Sequence, residues 1–117
     1  MATFSKTKLS GSTDGKQIKV VATSTPGTTI HTGVSGTTDY DEVWIYVTNN
    51  HSVALNLTIE WGGTTSPDDL IQMSIPALTG LYLLVPGLVI QNGGVIRAFA
   101  GSANLISVSG WVNRITA

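Results

Sequence analysis

The segment VALNLTIEW, residues 53–61, alternates apolar and polar side chains with a period of two. That alternation is typical of a β-strand with one face on a hydrophobic core, and it recurs along the chain, whereas the 3.6-residue period of a helix does not. Turn-forming residues interrupt the apolar segments roughly every 8–12 residues, the spacing found in sandwiches and barrels. We therefore predict one all-β domain over residues 1–117. The expected fold is an antiparallel β-sandwich of about eight strands, jelly-roll-like, with a meander barrel as the alternative.

The longest alternating segment, residues 43–61, predicts a β-hairpin with its turn at residues 49–52. Pairing across this turn places Trp44 opposite Leu57 on one core-facing side. The other side of the first arm is apolar as well, and it carries Val43, Ile45 and Val47. A strand that is apolar on both sides is buried between layers or between subunits, so these three side chains are candidate interface residues.

A second group of turns predicts a three-stranded meander near the C-terminus. The pair Asn92-Gly93 is a strong signal for a type I′ hairpin turn, and residues 101–104 make a second turn. The predicted strands are 87–91, 94–100 and 104–115. One face of this meander, with Ile96 and Ala98, is mostly small and would let another sheet or subunit approach closely. On the opposite face Arg97 either extends to the sheet edge or pairs with an acid of residues 39–69.

Charged residues are scarce: they make up 11% of the chain, against ~25% in an average soluble protein. So low a charged fraction indicates that another protein subunit covers part of the surface, and we expect a homo-oligomer. The formal net charge of −1 provides no electrostatic footprint for nucleic acid. Residues 1–15 carry Lys6 and Lys8, and we expect them to form an extended N-terminal arm that docks on an acidic partner. We expect neither a secretory signal nor a membrane anchor.

No catalytic constellation is evident, and we expect neither an enzyme nor a cofactor. The chain has no cysteine and no motif with the spacing of a nucleophile elbow. The two histidines, His31 and His51, would need a third ligand such as Asp39 or Asp41 to hold a metal ion. Nothing in their spacing brings these residues together, so we expect no metal site.

The three tryptophans allow a carbohydrate-binding interpretation, because aromatic faces stack on sugars. Trp44 and Trp61 fall on the predicted core face with Leu55 and Leu57, and core packing is the usual role of such rings. Trp111 has the parity of the small residues around it, and we expect it to be exposed or at an interface.

The C-terminal segment LVPGLVIQNGGVIRAFAGSANLISVSGWVNRI, residues 84–115, resembles the ending of a group of small virion structural proteins of tailed bacteriophages. The residues that carry the resemblance are Val85 to Gly87, Asn92-Gly93, Arg97 to Ala100 and Val112 to Ile115. Residues 1–68 resemble nothing that we can name.

The resemblance implies a capsid decoration, or cement, protein: a homotrimer that binds the major capsid protein on the outside of the phage head. Its location would then be the virion, assembled in the host cytoplasm. A tail, baseplate or fibre-tip module and a carbohydrate-binding module are the alternatives. The candidate contacts with sister subunits or the capsid are Lys6, Lys8, Val43, Ile45, Val47, Ile96, Arg97, Ala98, Trp111 and Arg114.

Overall fold

The computed structural model describes residues 2–117, which form nine β-strands and no helix. The strands are β1 (Thr3–Lys8), β2 (Ile18–Lys19), β3 (Thr28–Thr32), β4 (Tyr40–Asn49), β5 (Leu55–Trp61), β6 (Leu70–Ile75), β7 (Tyr82–Ile90), β8 (Val95–Ala100) and β9 (Ile106–Thr116). The prediction of an all-β chain is confirmed.

The strands form two antiparallel sheets with a common core between them. The five-stranded sheet has the order β1-β9-β4-β7, and β2 pairs with β9 beside β1. The four-stranded sheet has the order β3-β8-β5-β6. From β3 onward every connection except β5 to β6 joins strands of different sheets.

The core is built from alternate residues of the central strands. In β4 these are Val43, Ile45 and Val47, and in β8 they include Ile96 and Ala98; all five have 0% exposed surface. Strand β4 is apolar on both sides, and the sequence left open whether sheets of the same chain or other subunits cover it. In the structure Val43, Ile45 and Val47 are covered by the two sheets of one chain. The proposed interface roles of these five residues are therefore corrected, because side chains that fill the core are closed to a partner.

The predicted hairpin over residues 43–61 is wrong. Strand β4 pairs with β7 and β9, whereas β5 pairs with β6 and β8 in the other sheet. The connection is organised by Asn49, whose side chain is buried and donates hydrogen bonds to the carbonyl groups of Val53 and Ile75 at 3.1 Å each. The chain bends at residues 51–53, beside the predicted turn, but this connection crosses to the other sheet instead of returning along the same one.

The predicted C-terminal meander is wrong for the same reason. Strands β7 and β9 both lie in the five-stranded sheet, while β8 lies in the four-stranded sheet. The Asn92-Gly93 turn has positive φ angles of 58° and 68°, as its type requires. Its amide groups donate to the carbonyl oxygens of Gly36 and Val34, at 2.9 and 3.0 Å, so the turn is anchored to another loop.

The N-terminal segment is part of the five-stranded sheet instead of an extended arm. Strand β1 pairs with β9 from Thr3 opposite Thr116 to Lys8 opposite Trp111. The next residue, Leu9, is fully buried in the core. The predicted arm over 1–15 is thus corrected for its described part, because its backbone is already paired within the chain.

Candidate functional site

The outer face of the five-stranded sheet carries a pair of stacked tryptophans. Trp44 of β4 lies directly opposite Trp111 of β9. Their ring centroids are 5.7 Å apart with an interplanar angle of 7°, a stacked arrangement within the favourable range for aromatic pairs. Lys6 of β1 places its Nζ 4.4 Å from the centroid of Trp111. We call these three side chains the aromatic platform.

Two glycines provide the room that Trp44 occupies. A Cβ at Gly110 would overlap the carbonyl oxygen of Trp44. A Cβ at Gly87 would lie 3.0 Å from Cζ2 of the indole, and the φ of +79° at this position also favours glycine. The Trp44 indole donates from Nε1 to the Glu42 carboxylate at 3.0 Å. Trp44 therefore packs on the outer face of the sheet, and its predicted place in the core is wrong. Trp111 is half-buried beside it.

Strand β7 exposes an unusual number of large apolar side chains for an edge strand. It pairs only with β4, so the backbone groups along its other edge have no partner strand. The exposed side chains at or beside this strand are Leu81 (66%), Tyr82 (40%), Leu83 (36%), Leu88 (43%) and Val89 (52%). We call this set the β7 edge. Long apolar edges are sites of strand pairing with another chain unless something covers them.

The sequence did contain a signal for the β7 edge. Residues 75–90 form a long apolar run without a charged side chain. Residues 91–117 carry only two charged side chains, Arg97 and Arg114, but their outcome is different. Strands β8 and β9 each have neighbours on both sides, so most of that segment is covered by the fold itself.

A buried polar cluster joins the two sheets at one end of the core. His31 of β3 and Asp41 of β4 are 1% and 0% exposed, and their side chains meet at 2.8 Å. Arg114 of β9 donates from Nε and Nη2 to the two oxygens of Asp41, at 2.8 and 3.0 Å. The amide of Val34 donates to the same carboxylate at 3.1 Å.

The hydrogen bonds assign the protonation pattern of this cluster. His31 Nδ1 accepts from the Ser10 amide at 2.9 Å, so Nε2 carries the proton that is donated to Asp41. Burial by itself would raise the pKa of the Asp41 carboxyl, but hydrogen bonds from Arg114 and His31 outweigh burial and hold it below its ordinary value. The hydrogen bond to Asp41 in turn raises the pKa of Arg114.

The cluster is structural in its chemistry, because both ring nitrogens of His31 are committed. The structure does bring His31 and Asp41 together, although their spacing in the chain does not predict this contact. Within residues 2–117 no three His, Asp or Glu side chains are close enough to hold a metal ion. Arg114, predicted as an interface residue, uses its guanidinium to pair with Asp41 and remains about one-third exposed, at 35%.

The remaining predicted contact residues lie on different faces. Lys8 is exposed on β1 and lies opposite Trp111, near Lys6. Arg97 is half-buried on the outer face of the four-stranded sheet, opposite Thr29 and Glu60 in the register. Among residues 2–117 the ion pair between charged side chains joins Arg114 to Asp41, and Arg97 forms none within these residues. Its pairing with an acid across a subunit boundary stays a prediction.

Comparison with known proteins produced no matching family model, no matching curated protein and no matching solved structure. Among the described residues no helix is long and apolar enough to cross a membrane.

Proposed function

We propose that this protein is a virion structural component that decorates the outside of a tailed-phage head as a homo-oligomer, with a trimer as the expected assembly. The observation that carries the proposal is the β7 edge, an uncharged strand edge with no partner strand. The resemblance of residues 84–115 to phage structural proteins supports a place in the phage virion. The low charged content of 11% agrees with a surface covered by protein.

The finer fold that we infer is a jelly roll. If β1 and β2 are counted as one interrupted strand beside β9, the chain has eight strand positions, four in each sheet. The chain crosses between the sheets at nearly every connection, as two interleaved Greek keys require. Jelly rolls are common in viral capsid proteins, which is compatible with the proposed role but does not by itself identify it.

The contact we propose joins the β7 edge of one copy to the β1 edge of the next. These are the two opposite edges of the same five-stranded sheet, so the contact is heterologous and can close into a ring of three. Phe4 on β1 is 66% exposed and offers an apolar partner for the β7 edge. Strand pairing across this contact would satisfy the open backbone groups of both edges while removing apolar surface from water.

The oligomer is tested by light scattering on purified variants. Val89 in β7 and Val53 in the loop before β5 are exposed to similar degrees, 52% and 57%. Val89→Lys should shift the protein from trimer to monomer, because a charge would be buried in the contact, whereas the matched control Val53→Lys should remain a trimer. A wild-type protein that is monomeric at micromolar concentration would overturn the oligomer.

The geometry of the contact is tested by Phe4→Lys on the opposite edge. A β7-to-β1 contact predicts that this variant dissociates like Val89→Lys. An isologous contact of β7 with its own symmetry mate would leave Phe4→Lys unaffected and would produce dimers, which contradicts the proposed ring.

The place in the virion is tested by mass spectrometry and negative-stain imaging of purified particles. A head decoration protein should be present in hundreds of copies, with density on the outside of the head. A few copies located at the tail would contradict the head assignment and favour the tail or fibre-tip alternative.

A further inference from the structure

The outer face of the four-stranded sheet contains a cleft of about 420 Å³, within the size range of small-molecule sites. It lies on the opposite sheet from the β7 edge. Its lining combines hydroxyl, amide, aromatic and backbone groups, among them Thr23, Asn56, Thr58, Gln72, Ser74 and Phe99. We call it the polar cleft.

The strand register places the polar side chains of this cleft side by side. Thr58 of β5 lies between Phe99 of β8 and Gln72 of β6. Asn56 lies opposite Ser74 one step further along the same face. Residues directly opposite each other in a sheet point to the same side. Two amides, two hydroxyl groups and one aromatic ring therefore share a single outward face.

Thr23 forms one wall of the polar cleft, and the segment around it, residues 22–27, is fastened to the sheet on both sides of Thr23. The Ala100 amide donates to the carbonyl oxygen of Ala22 at 3.1 Å. Further on, the Gly27 amide donates to the Glu60 carboxylate at 2.6 Å, and the Thr25 hydroxyl donates to its other oxygen. Glu60 is fully buried. A wall held in this way exists before any ligand arrives, which reduces the entropy cost of binding.

The chemistry of the lining selects the class of ligand. No lining residue is charged, so the cleft offers no counter-ion for a phosphate, a carboxylate or an amine. Amides and hydroxyl groups both donate and accept hydrogen bonds, which matches a ligand dense in hydroxyl groups. The Phe99 ring supplies one apolar surface of the kind that packs against the C–H face of a sugar.

We propose that the polar cleft binds a neutral sugar unit of a glycan, such as a hexose. In this site Gln72, Asn56 and the hydroxyl groups of Thr58 and Ser74 hydrogen-bond the sugar hydroxyls, and Phe99 packs against the ring. The earlier interpretation in which tryptophans bind sugar does not hold for this site, since its lining contains no tryptophan. The proposal is independent of the head-decoration function, because the cleft and the β7 edge lie on different sheets.

The test uses the full-length protein on a glycan array. The array carries neutral glucose-, galactose-, mannose- and N-acetylglucosamine-based oligosaccharides together with sialylated and sulfated ones. We expect binding to at least one neutral oligosaccharide and no preference for the acidic ones. Binding to none of the glycans, or to acidic glycans only, would overturn the proposal.

Variants then locate the binding. Gln72→Ala is the principal variant because Gln72 is exposed on an edge strand, and Gln91→Ala, at an exposed glutamine outside the cleft, is the matched control. Titration with the best-bound neutral oligosaccharide should show affinity about tenfold lower for Gln72→Ala, the effect of one lost hydrogen bond to the ligand. Gln91→Ala should bind like the wild type.

Phe99→Ala should abolish detectable binding, and Asn56→Ala provides a second polar variant if Phe99→Ala fails to fold. Sugar binding that both Gln72→Ala and Asn56→Ala leave unchanged would place the site elsewhere and contradict the proposal. Light scattering on the same variants keeps the two proposals apart, because loss of sugar binding should leave the trimer intact.

Discussion

The outer faces of the two sheets differ in chemistry although both rest on the same core. The five-stranded sheet presents the aromatic platform and ends in the β7 edge, whose side chains are large and apolar. The four-stranded sheet presents hydroxyl and amide groups around the polar cleft. An apolar edge suits a protein partner, whereas an uncharged hydrogen-bonding cleft suits a small polar ligand. One sandwich can thus provide two independent contact surfaces.

The same comparison shows what scarce charge means in this chain. Strands β8 and β9 each carry one charged residue, Arg97 and Arg114, and neighbouring strands pair with both of their edges. Strand β7 carries no charged residue and lies at an edge. At β7 the low charge coincides with exposed apolar side chains, since Leu88 and Val89 are 43% and 52% exposed.

The largest expected effect on stability concerns the buried polar cluster of His31, Asp41 and Arg114, which connects the two sheets. Asp41→Ala removes the carboxylate that holds Arg114 and His31 and leaves buried donors without an acceptor. We expect the free energy of unfolding to fall by about 3 kcal/mol, the lower end for a broken buried pair because Arg114 is partly exposed. Denaturant unfolding measures this, with Asp39→Ala as the control and an expected loss below ~1 kcal/mol. A loss as small as the control's would show that the apolar core alone joins the sheets.

The pH dependence of the free energy of unfolding should reflect the ionisation of Asp41 in the same buried polar cluster. The pKa of Asp41 in the folded protein lies below the ordinary value of 3.8. Its contribution to stability is therefore complete above that value and is lost as the pH falls through the folded-state pKa. Unfolding measured from pH 7 down to pH 3 should show a steeper acid loss for the wild type than for Asp41→Asn. Parallel curves for the two proteins would contradict the assigned ionisation of Asp41.

Each sheet has one hydrogen-bonded glutamate on its outer side, Glu60 in the four-stranded sheet and Glu42 in the five-stranded sheet. The effects of removing them on stability can be compared directly. Glu60 is fully buried beneath the wall of the polar cleft, while Glu42 is half-buried beside Trp44. Glu60→Ala should lower the free energy of unfolding by about 2 kcal/mol, since two donors lose a charged acceptor. Glu42→Ala should cost less than ~1 kcal/mol. Equal losses in thermal or denaturant unfolding would show that the cleft wall is not held by Glu60.

The smallest effect concerns the tryptophan stack. A double-mutant cycle with Trp44→Ala and Trp111→Ala should give a coupling energy of about 0.5–1.5 kcal/mol. Trp61, in the four-stranded sheet, provides the control: a cycle of Trp61→Ala with Trp111→Ala should be additive, because the two rings lie in different sheets. Additivity in the Trp44–Trp111 cycle would mean that the platform is a set of separate side chains instead of one surface.

Local turn chemistry was predicted well, and strand pairing was not. Asn92 and Gly93 do adopt the left-handed backbone that their residue types favour. A turn signal, however, states only that the chain reverses; in this fold the reversal leads to the other sheet. The predicted hairpin and the predicted meander both failed because we assumed that neighbouring segments pair, whereas most strands here pair with segments distant in the chain.

The candidate sites depended on the same long-range information. The low charge content and the apolar run over 75–90 predict an exposed apolar surface. The periodicity of the sequence does not, however, predict that β7 is an edge strand. The sequence also gives no sign that Asn56, Gln72 and Phe99 share a face, because they come from three strands that are brought together only by sheet order.

The sequence by itself determined the all-β class, the position of several turns and the absence of a catalytic cysteine. These depend on side-chain alternation, on backbone preferences of single residues and on composition, all of which are local. Tertiary structure alone decided which apolar strands are covered, that Trp44 faces outward, and that His31, Asp41 and Arg114 meet. Such outcomes depend on which strands become neighbours. That choice is made by the packing of the whole core, to which every strand contributes at once.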